Sequence, residues 1–393
     1  MKIRKSIFIC ILLCFLFSFS GFAREILDDS LYAPSARTFA IGGRHAALAT
    51  DLTTLFNNPA GFNQAEQEMS VAELTLRIGG PVFDIANVVV EGVDGGMEEL
   101  MTSPDIQNLL KGLYTKFNLL GPISFGYIGG GLGFGFFNIS DIELVNSSPL
   151  TITSRVSEEL MLCGGYSFRI PLPQKSMSTL DLGLLLKGSL KGSAVLEKSF
   201  LEFPTLISNL DVDTLWGEPF LFTGAIGFDA GILYSYKDWF SAGIACRDIF
   251  SPALISHYSS LGSFIENTET PAKSNALIPF DLSMGAVFAP HLGNFERYIT
   301  ELLVMIDYSD VLDFVTHGES ARNPLLHIGF GTELTLLEIL AVRLGFAEGL
   351  FSAGLGIDLT FFTLNAAMFG TEYSTEPGLN PVYNVMIGLE FRL

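Results

Sequence analysis

With 393 residues, 49% of them hydrophobic, 16% charged and a mean hydropathy of +0.42, the chain is too apolar for an ordinary soluble protein of its length, where roughly a quarter of residues carry charge. A formal net charge of -20 argues against a nucleic-acid partner, because phosphate binding needs clustered Lys and Arg. After residue 23 no unbroken apolar stretch is long enough for a transmembrane helix; a closed β-barrel is the spanning structure that remains, since in lipid every backbone polar group must be bonded within the protein.

The chain opens with Lys2, Arg4 and Lys5, continues through the apolar run Ile7 to Phe19, and ends that run at Gly21-Phe22-Ala23. Such an order is an export signal over residues 1–23: the run is short for a membrane anchor, and a cleavage site follows it. Leu13 is bulky where a lipoprotein signal needs a small residue, which discounts lipidation at Cys14. Once Cys10 and Cys14 leave with the signal, Cys163 and Cys246 remain.

Residues 24–68 show no alternation. They hold a small-residue segment from Ala36 to Asp51 that includes Gly42, Gly43, Ala46 and Ala49, then Leu55-Phe56-Asn57-Asn58-Pro59-Ala60-Gly61-Phe62. Proline at 59 holds Asn58 extended, the Asn side chains can bond nearby backbone, and Gly61 permits an unusual dihedral. By itself the four-residue Asn-Pro-Ala-Gly fits any turn.

From residue 69 to 393 the dominant signal is period-2 alternation. Ile226, Phe228, Ala230, Ile232, Tyr234 and Tyr236 alternate with Gly227, Asp229, Gly231 and Ser235. Ile328, Phe330, Leu334 and Leu336 alternate with His327, Gly329, Gly331, Glu333 and Thr335; Leu326 is placed on the same outward face. The last strand sets Tyr383, Val385, Ile387, Leu389, Phe391 and Leu393 against Asn384, Gly388, Glu390 and Arg392, and its aromatic end resembles the signal read by barrel-assembly machinery. A soluble sandwich would carry abundant Lys and Glu on its second face, whereas here that face is Gly, Ser, Ala and Thr. About fourteen strands follow, near 69–79, 122–130, 131–145, 158–169, 178–192, 221–236, 238–249, 279–289, 300–309, 324–337, 339–347, 350–361, 362–371 and 382–393. Tight turns at Gly130, Lys237, Glu338 and Phe362 then fall on one side. Longer connections fall on the other, at 80–121, 146–157, 193–220, 250–278, 310–323 and 372–381; only Glu348-Gly349 departs from the pattern. The fold class is all-β, a transmembrane antiparallel barrel with short helices in its outer loops. On this register Cys163 and Cys246 face opposite ways and are expected to be free.

The order Gly-x-x-x-Ala-x-x-Ala-x-Asp, then Asn-Pro-Ala-Gly, after a signal and before a barrel, resembles the N-terminal hatch of the long-chain fatty acid transporter (FadL/TodX) family and its spirochaetal paralogues. The type IX secretion shuttle protein PorV is similar in the same segment. The resemblance implies an outer-membrane barrel of fourteen strands closed by a hatch, with Gly42, Gly43, Asp51, Asn58, Pro59, Ala60 and Gly61 in it. It further implies capture of a hydrophobic small molecule, such as a fatty acid, and its passage sideways into outer-membrane lipid. The alternative it leaves open is an interaction protein that receives secreted cargo. A general aqueous porin is disfavoured, since a hatch would plug it.

Two outer loops are apolar for exposed connections: Phe200, Phe203, Leu206, Leu210 and Trp216 in one, Leu254, Tyr258 and Phe264 in the other. Their near-helical spacing suggests amphipathic pieces facing each other across the mouth, either sealing it or forming a ligand groove, and the resemblance favours the groove. Met97 to Phe117 also reads as helical. The register turns Asp181, Lys187, Lys191, Asp229, Arg247, Asp281, Asp307, His327, Glu333, Arg343, Asp358, Glu390 and Arg392 into the lumen. Arg247, Arg343 and Arg392 are candidates for an anionic head group, because Arg binds carboxylate bidentately. No nucleophile elbow, His-x-x-x-His or Cys-x-x-Cys spacing, or dinucleotide fingerprint occurs, so neither an enzyme nor a cofactor is expected.

Overall fold

A computed structural model describes residues 25–26, 31–81, 114–148, 151–199, 212–359 and 361–393. The strands are β1 (Glu25–Ile26), β2 (Glu68–Gly79), β3 (Tyr114–Leu120), β4 (Phe125–Gly129), β5 (Leu132–Ser148), β6 (Thr151–Ile170), β7 (Ser178–Ser199), β8 (Phe220–Tyr236), β9 (Phe240–Arg247), β10 (Pro252–Tyr258), β11 (Ala272–Leu277), β12 (Asp281–Phe288), β13 (Ile299–Tyr308), β14 (Ile328–Leu336), β15 (Leu340–Ala347), β16 (Leu350–Leu359), β17 (Phe362–Glu372) and β18 (Pro381–Arg392). From β2 to β18 every neighbouring pair is antiparallel, and β18 returns to pair with β2, so the sheet closes. Closure satisfies the backbone of both end strands, which is the condition for crossing lipid. Three staves are interrupted: β3 and β4 share the partners β2 and β5, β10 continues β9 along β8, and β12 continues β11. The barrel therefore has fourteen staves. The two residues of β1 add in parallel to β11, Glu25 opposite Ala276.

Alternation sets the two faces. Leu160, Leu162, Tyr166 and Phe168 of β6, Leu184, Leu186 and Leu190 of β7, and Tyr383, Val385, Ile387 and Phe391 of β18 are exposed, while their neighbours in sequence point inward. A continuous apolar belt around a closed barrel is a lipid-facing surface. Tyr236, Trp239, Phe240 and Phe288 gather at one rim, with Trp239 packed edge-on against Tyr236 and Phe288 at 5.7 and 5.6 Å, as amphipathic rings do at a membrane boundary. No helix among the described residues is long and apolar enough to cross a membrane.

Ile226 and Phe330 lie outward, and Phe228 and Leu389 share their faces. Leu326 does not: it is only 3% exposed, because Pro324 starts a 3-10 turn (Pro324–His327) that folds it inward before β14 begins at Ile328. The connections expected at 146–157 and in the first part of 193–220 are instead strand, β5 running to Ser148, β6 starting at Thr151 and β7 reaching Ser199. Above the bilayer both faces of a stave meet water, so Thr, Ser and Glu occupy both and the apolar rhythm disappears. The helix expected to end at Phe117 likewise yields to strand from Tyr114; residues 97–113 fall outside the described ones.

Cys163 is buried on the inward face, Cys246 lies on the outward face of the wall, and both are free. Denatured without reductant, each is expected to take one maleimide, read by peptide mass. A Cys163–Cys246 linked peptide would overturn the register of a stave.

Candidate functional site

Residues 31–65 fold inside the barrel. Helix α1 (Ala36–Ala40) ends at Gly42 and Gly43, whose φ values of 81° and 107° disfavour any side chain. Small residues then lead into α2 (Thr54–Asn57) and a 3-10 turn, Pro59–Asn63. Pro59 holds Asn58 at φ -161° and ψ 115°. From there the Asn58 oxygen accepts from Ala60 N at 3.0 Å, and its amide donates to Ala46 O at 2.7 Å and to the wall carbonyls of Ile232 and Ile244 at 3.2 and 3.3 Å. The Asn-Pro-Ala-Gly turn is thus stitched at once to the plug and to β8 and β9.

Where plug backbone meets the wall, the wall carries glycine. A Cβ at Gly183 would overlap Pro59, at Gly243 the Ala46 carbonyl, at Gly331 the Ile41 carbonyl, and at Gly345 the Gly42 nitrogen; at Gly354 it would come within 2.5 Å of the Ala40 methyl. These positions lie on β7, β9, β14, β15 and β16, so the thin inner face legible in the sequence is a seat running around the circumference.

Buried charges clamp the seated segment. Arg37 donates to both oxygens of Glu333 at 2.9 and 2.6 Å and to Asp51 at 2.6 Å. Asp307 takes Ala46 N at 2.7 Å and faces His45 Nδ1 at 2.5 Å, while His45 Nε2 faces the Ile41 carbonyl at 2.7 Å. Both neighbours of that ring are oxygen atoms, one from the wall and one from the plug. Lys187, 1% exposed, reaches Asp229 and Asp248 at 2.9 Å each and the Leu31 carbonyl at 3.1 Å. The clamps that join Arg37 to Glu333 and His45 and Ala46 to Asp307 leave no local pattern in the sequence, because each joins residues more than two hundred positions apart.

The three arginines considered for an anionic head group are all engaged. Arg247 donates to Phe56 O and Asn57 O in the plug at 3.0 and 2.9 Å and to Asp281 at 2.6 Å. Arg343 pairs with Glu333 and with Asn365 at 2.7 Å; Arg392 pairs with Asp358 and with Glu68 at 3.1 Å. An incoming carboxylate would have to displace one already present.

Between plug and wall lies a cavity of about 50 Å³, lined by Pro34, Arg37, Phe56, Glu73, Phe137 and Glu390 among others. It has room for a few water molecules. The cavity adjoins the interruption between β3 and β4, flanked by Glu73 and Phe137, where Ser124 Oγ accepts from Glu73 N at 2.8 Å in place of a strand partner.

At the opposite end from the tight turns, the region 250–278 is a hairpin with a short helix at its tip rather than one amphipathic helical piece: β10, α3 and β11, with α3 spanning Leu261–Glu266. Leu254 and Tyr258 therefore sit on a strand, Leu254 facing outward. Phe264 of α3 packs against Phe220, Phe222 and Tyr258 at ring-centre distances of 4.7, 5.4 and 5.1 Å. Trp216, at the end of the short helix Val212–Trp216, lies over Gly262 and stays 39% exposed. Phe200, Phe203, Leu206 and Leu210 fall outside the described residues.

Fold and contents together define a transmembrane β-barrel stoppered by its own N-terminal segment. No protein family and no curated protein matches the sequence. Among solved structures the chain is similar to the Ralstonia pickettii toluene transporter TbuX, at 12% identity and a TM-score of 0.49 over 92% of this chain and 97% of that one. It is similar to the CymD monoaromatic hydrocarbon channel, at 13% identity and 0.46 over 90% and 97%, and to a Pseudomonas aeruginosa FadL homologue, at 12% and 0.44 over 93% and 99%. These neighbours are channels and transporters of the FadL and TodX type, the kind that the N-terminal motif resembles.

Proposed function

We propose that the chain is an outer-membrane transporter for hydrophobic small molecules, with residues 24–68 as its hatch and long-chain fatty acids as its substrate class. The observation that carries this reading is the stoppered lumen. A general pore needs a continuous aqueous path, whereas residues 31–65 pack inside this barrel, pinned to the wall through Asn58, Arg37 and Asp307. The aromatic mouth around Phe264, with Trp216 partly exposed, supplies apolar surface on which a hydrophobic molecule can first adsorb. The cavity against the β3–β4 interruption supports an exit sideways into lipid, where such a molecule is more soluble than in water. Neighbours that handle toluene and other monoaromatic hydrocarbons agree with an apolar substrate. Localisation follows from export by the signal at residues 1–23 and insertion through assembly machinery that reads the aromatic final strand.

Replacing Phe203, Leu206, Tyr258 and Phe264 with serine is expected to weaken oleate binding while the barrel still folds, scored by its gel shift on heating. A large apolar contact is worth roughly 1.5 to 3 kcal/mol when fully buried and less in a half-open groove. Affinity for both oleate and toluene unchanged by all four replacements would instead favour a PorV-like role in receiving secreted cargo.

A further inference from the structure

The segment 309–327 between β13 and β14 carries the short helix α4 (Asp313–Thr316), and its polar side chains converge on one point. His317 Nδ1 lies 2.6 Å from Asp313 Oδ1. The second Asp313 oxygen is held by His327 Nε2 at 3.1 Å and by the backbone N–H of Arg322 at 2.7 Å. One ligand atom each from Asp310, Asp313 and His317 lie within 4.8 Å of one another. Asp310 donates its backbone N–H to Asp281 at 2.9 Å, but among the described residues no donor reaches its carboxylate. Two carboxylates and an imidazole thus face one another, and among the described residues one of the carboxylates has no hydrogen-bond donor.

We propose that Asp310, Asp313 and His317 form a binding site for a divalent transition metal of the zinc class. One imidazole and two carboxylates are a mixed nitrogen and oxygen donor set, which suits zinc, cobalt or nickel; calcium and magnesium favour oxygen alone. The ligating carboxylate of Asp313 is already oriented, its far oxygen fixed by His327 and Arg322 as a metal ligand is commonly fixed by its outer partners. A cation also answers the repulsion between the two neighbouring carboxylates. Three protein ligands leave positions for water. The site reaches the plug through a short chain of bonds, since Asp310 N–H holds Asp281, Asp281 holds Arg247, and Arg247 holds the Phe56 and Asn57 carbonyls. Metal there would fix the 309–327 segment against the residues that anchor the stopper.

The test uses the full barrel, purified without a histidine tag in detergent and shown to be folded by its gel shift. Cobalt is titrated while visible d–d absorption is recorded, and zinc is titrated by calorimetry. The wild type is expected to saturate at one equivalent, and Asp310→Asn and His317→Ala each to lose about tenfold or more in affinity. His291→Ala, an exposed histidine at the opposite rim, is expected to bind like the wild type. Absence of saturable binding, undiminished binding in both Asp310→Asn and His317→Ala, or an equal loss in His291→Ala would each overturn the site.

Discussion

Deletion of residues 36–62 is expected to leave a barrel that folds and to turn a closed protein into one that conducts ions across a planar bilayer. The strand ladders contain no plug residue from that range, so the wall keeps its hydrogen bonds. What the deletion empties is a lumen whose wall presents glycine where other barrels present side chains, together with Arg247, Asp281, Asp307, Glu333 and Arg343, which then meet water. A wide polar interior conducts. A single substitution makes the same point more gently: leucine at Gly243 has to displace the Ala46 carbonyl and is expected to loosen the plug and raise conductance. Leucine at Gly188, which has nothing within 4 Å of its added Cβ, is expected to be silent. Deletion without conductance, or equal behaviour of the two leucine variants, would rule out the segment as the stopper.

Lys187→Met is expected to destabilise the barrel by about 3 to 5 kcal/mol, the cost of leaving a buried charge without its partner. Methionine preserves most of the volume, so packing contributes little. Asp229 and Asp248, at 1% and 3% exposure, are left facing each other with no cation between them, and the Leu31 carbonyl loses its donor. The measurement is the urea midpoint of the gel-shifted folded band. Adding Asp229→Asn and Asp248→Asn should recover much of the loss, because the buried carboxylates are then gone. A Lys187→Met barrel as stable as the wild type would show that the triad is not a structural clamp.

The wall was legible wherever a stave crosses lipid, because one face must be apolar there and the other must not. That constraint writes the rhythm seen in Ile226 to Tyr236 and again in Tyr383 to Phe391. It vanishes beyond the bilayer, which is why the outer parts of β5, β6 and β7 read as loops, and why β10 reads as helix from the chance spacing of Leu254 and Tyr258. It also misplaced Leu326, whose alternation with its neighbours continued one turn past the point where Pro324 bends the chain. The inward small residues were visible as a class, but their meaning was not: nothing in the sequence pairs Gly183 with Pro59 or Gly243 with Ala46. For the same reason Arg247 reads only as a lumen-facing candidate for an anionic head group, whereas its guanidinium is bonded to backbone carbonyls of a segment nearly two hundred residues away.

The seam of the barrel has a bearing on how the molecule is made. β2 follows directly from the plug at Glu68, and it pairs with β18, the last strand of the chain. Pairing the two extremes of a chain is slow, since the longest loop must close before any of its contacts form. That delay has a use here. The glycine seat meets rigid backbone rather than yielding side chains, so a stopper cannot squeeze into a cylinder that has already shut; it has to be laid against an open, curling sheet. Synthesis delivers the stopper first and the closing strand last, and the slow step lies between the two. A change that let β18 dock early would produce a kinetically trapped product, complete in its ladder and indistinguishable by strand content, with its stopper stranded outside and its interior leaking.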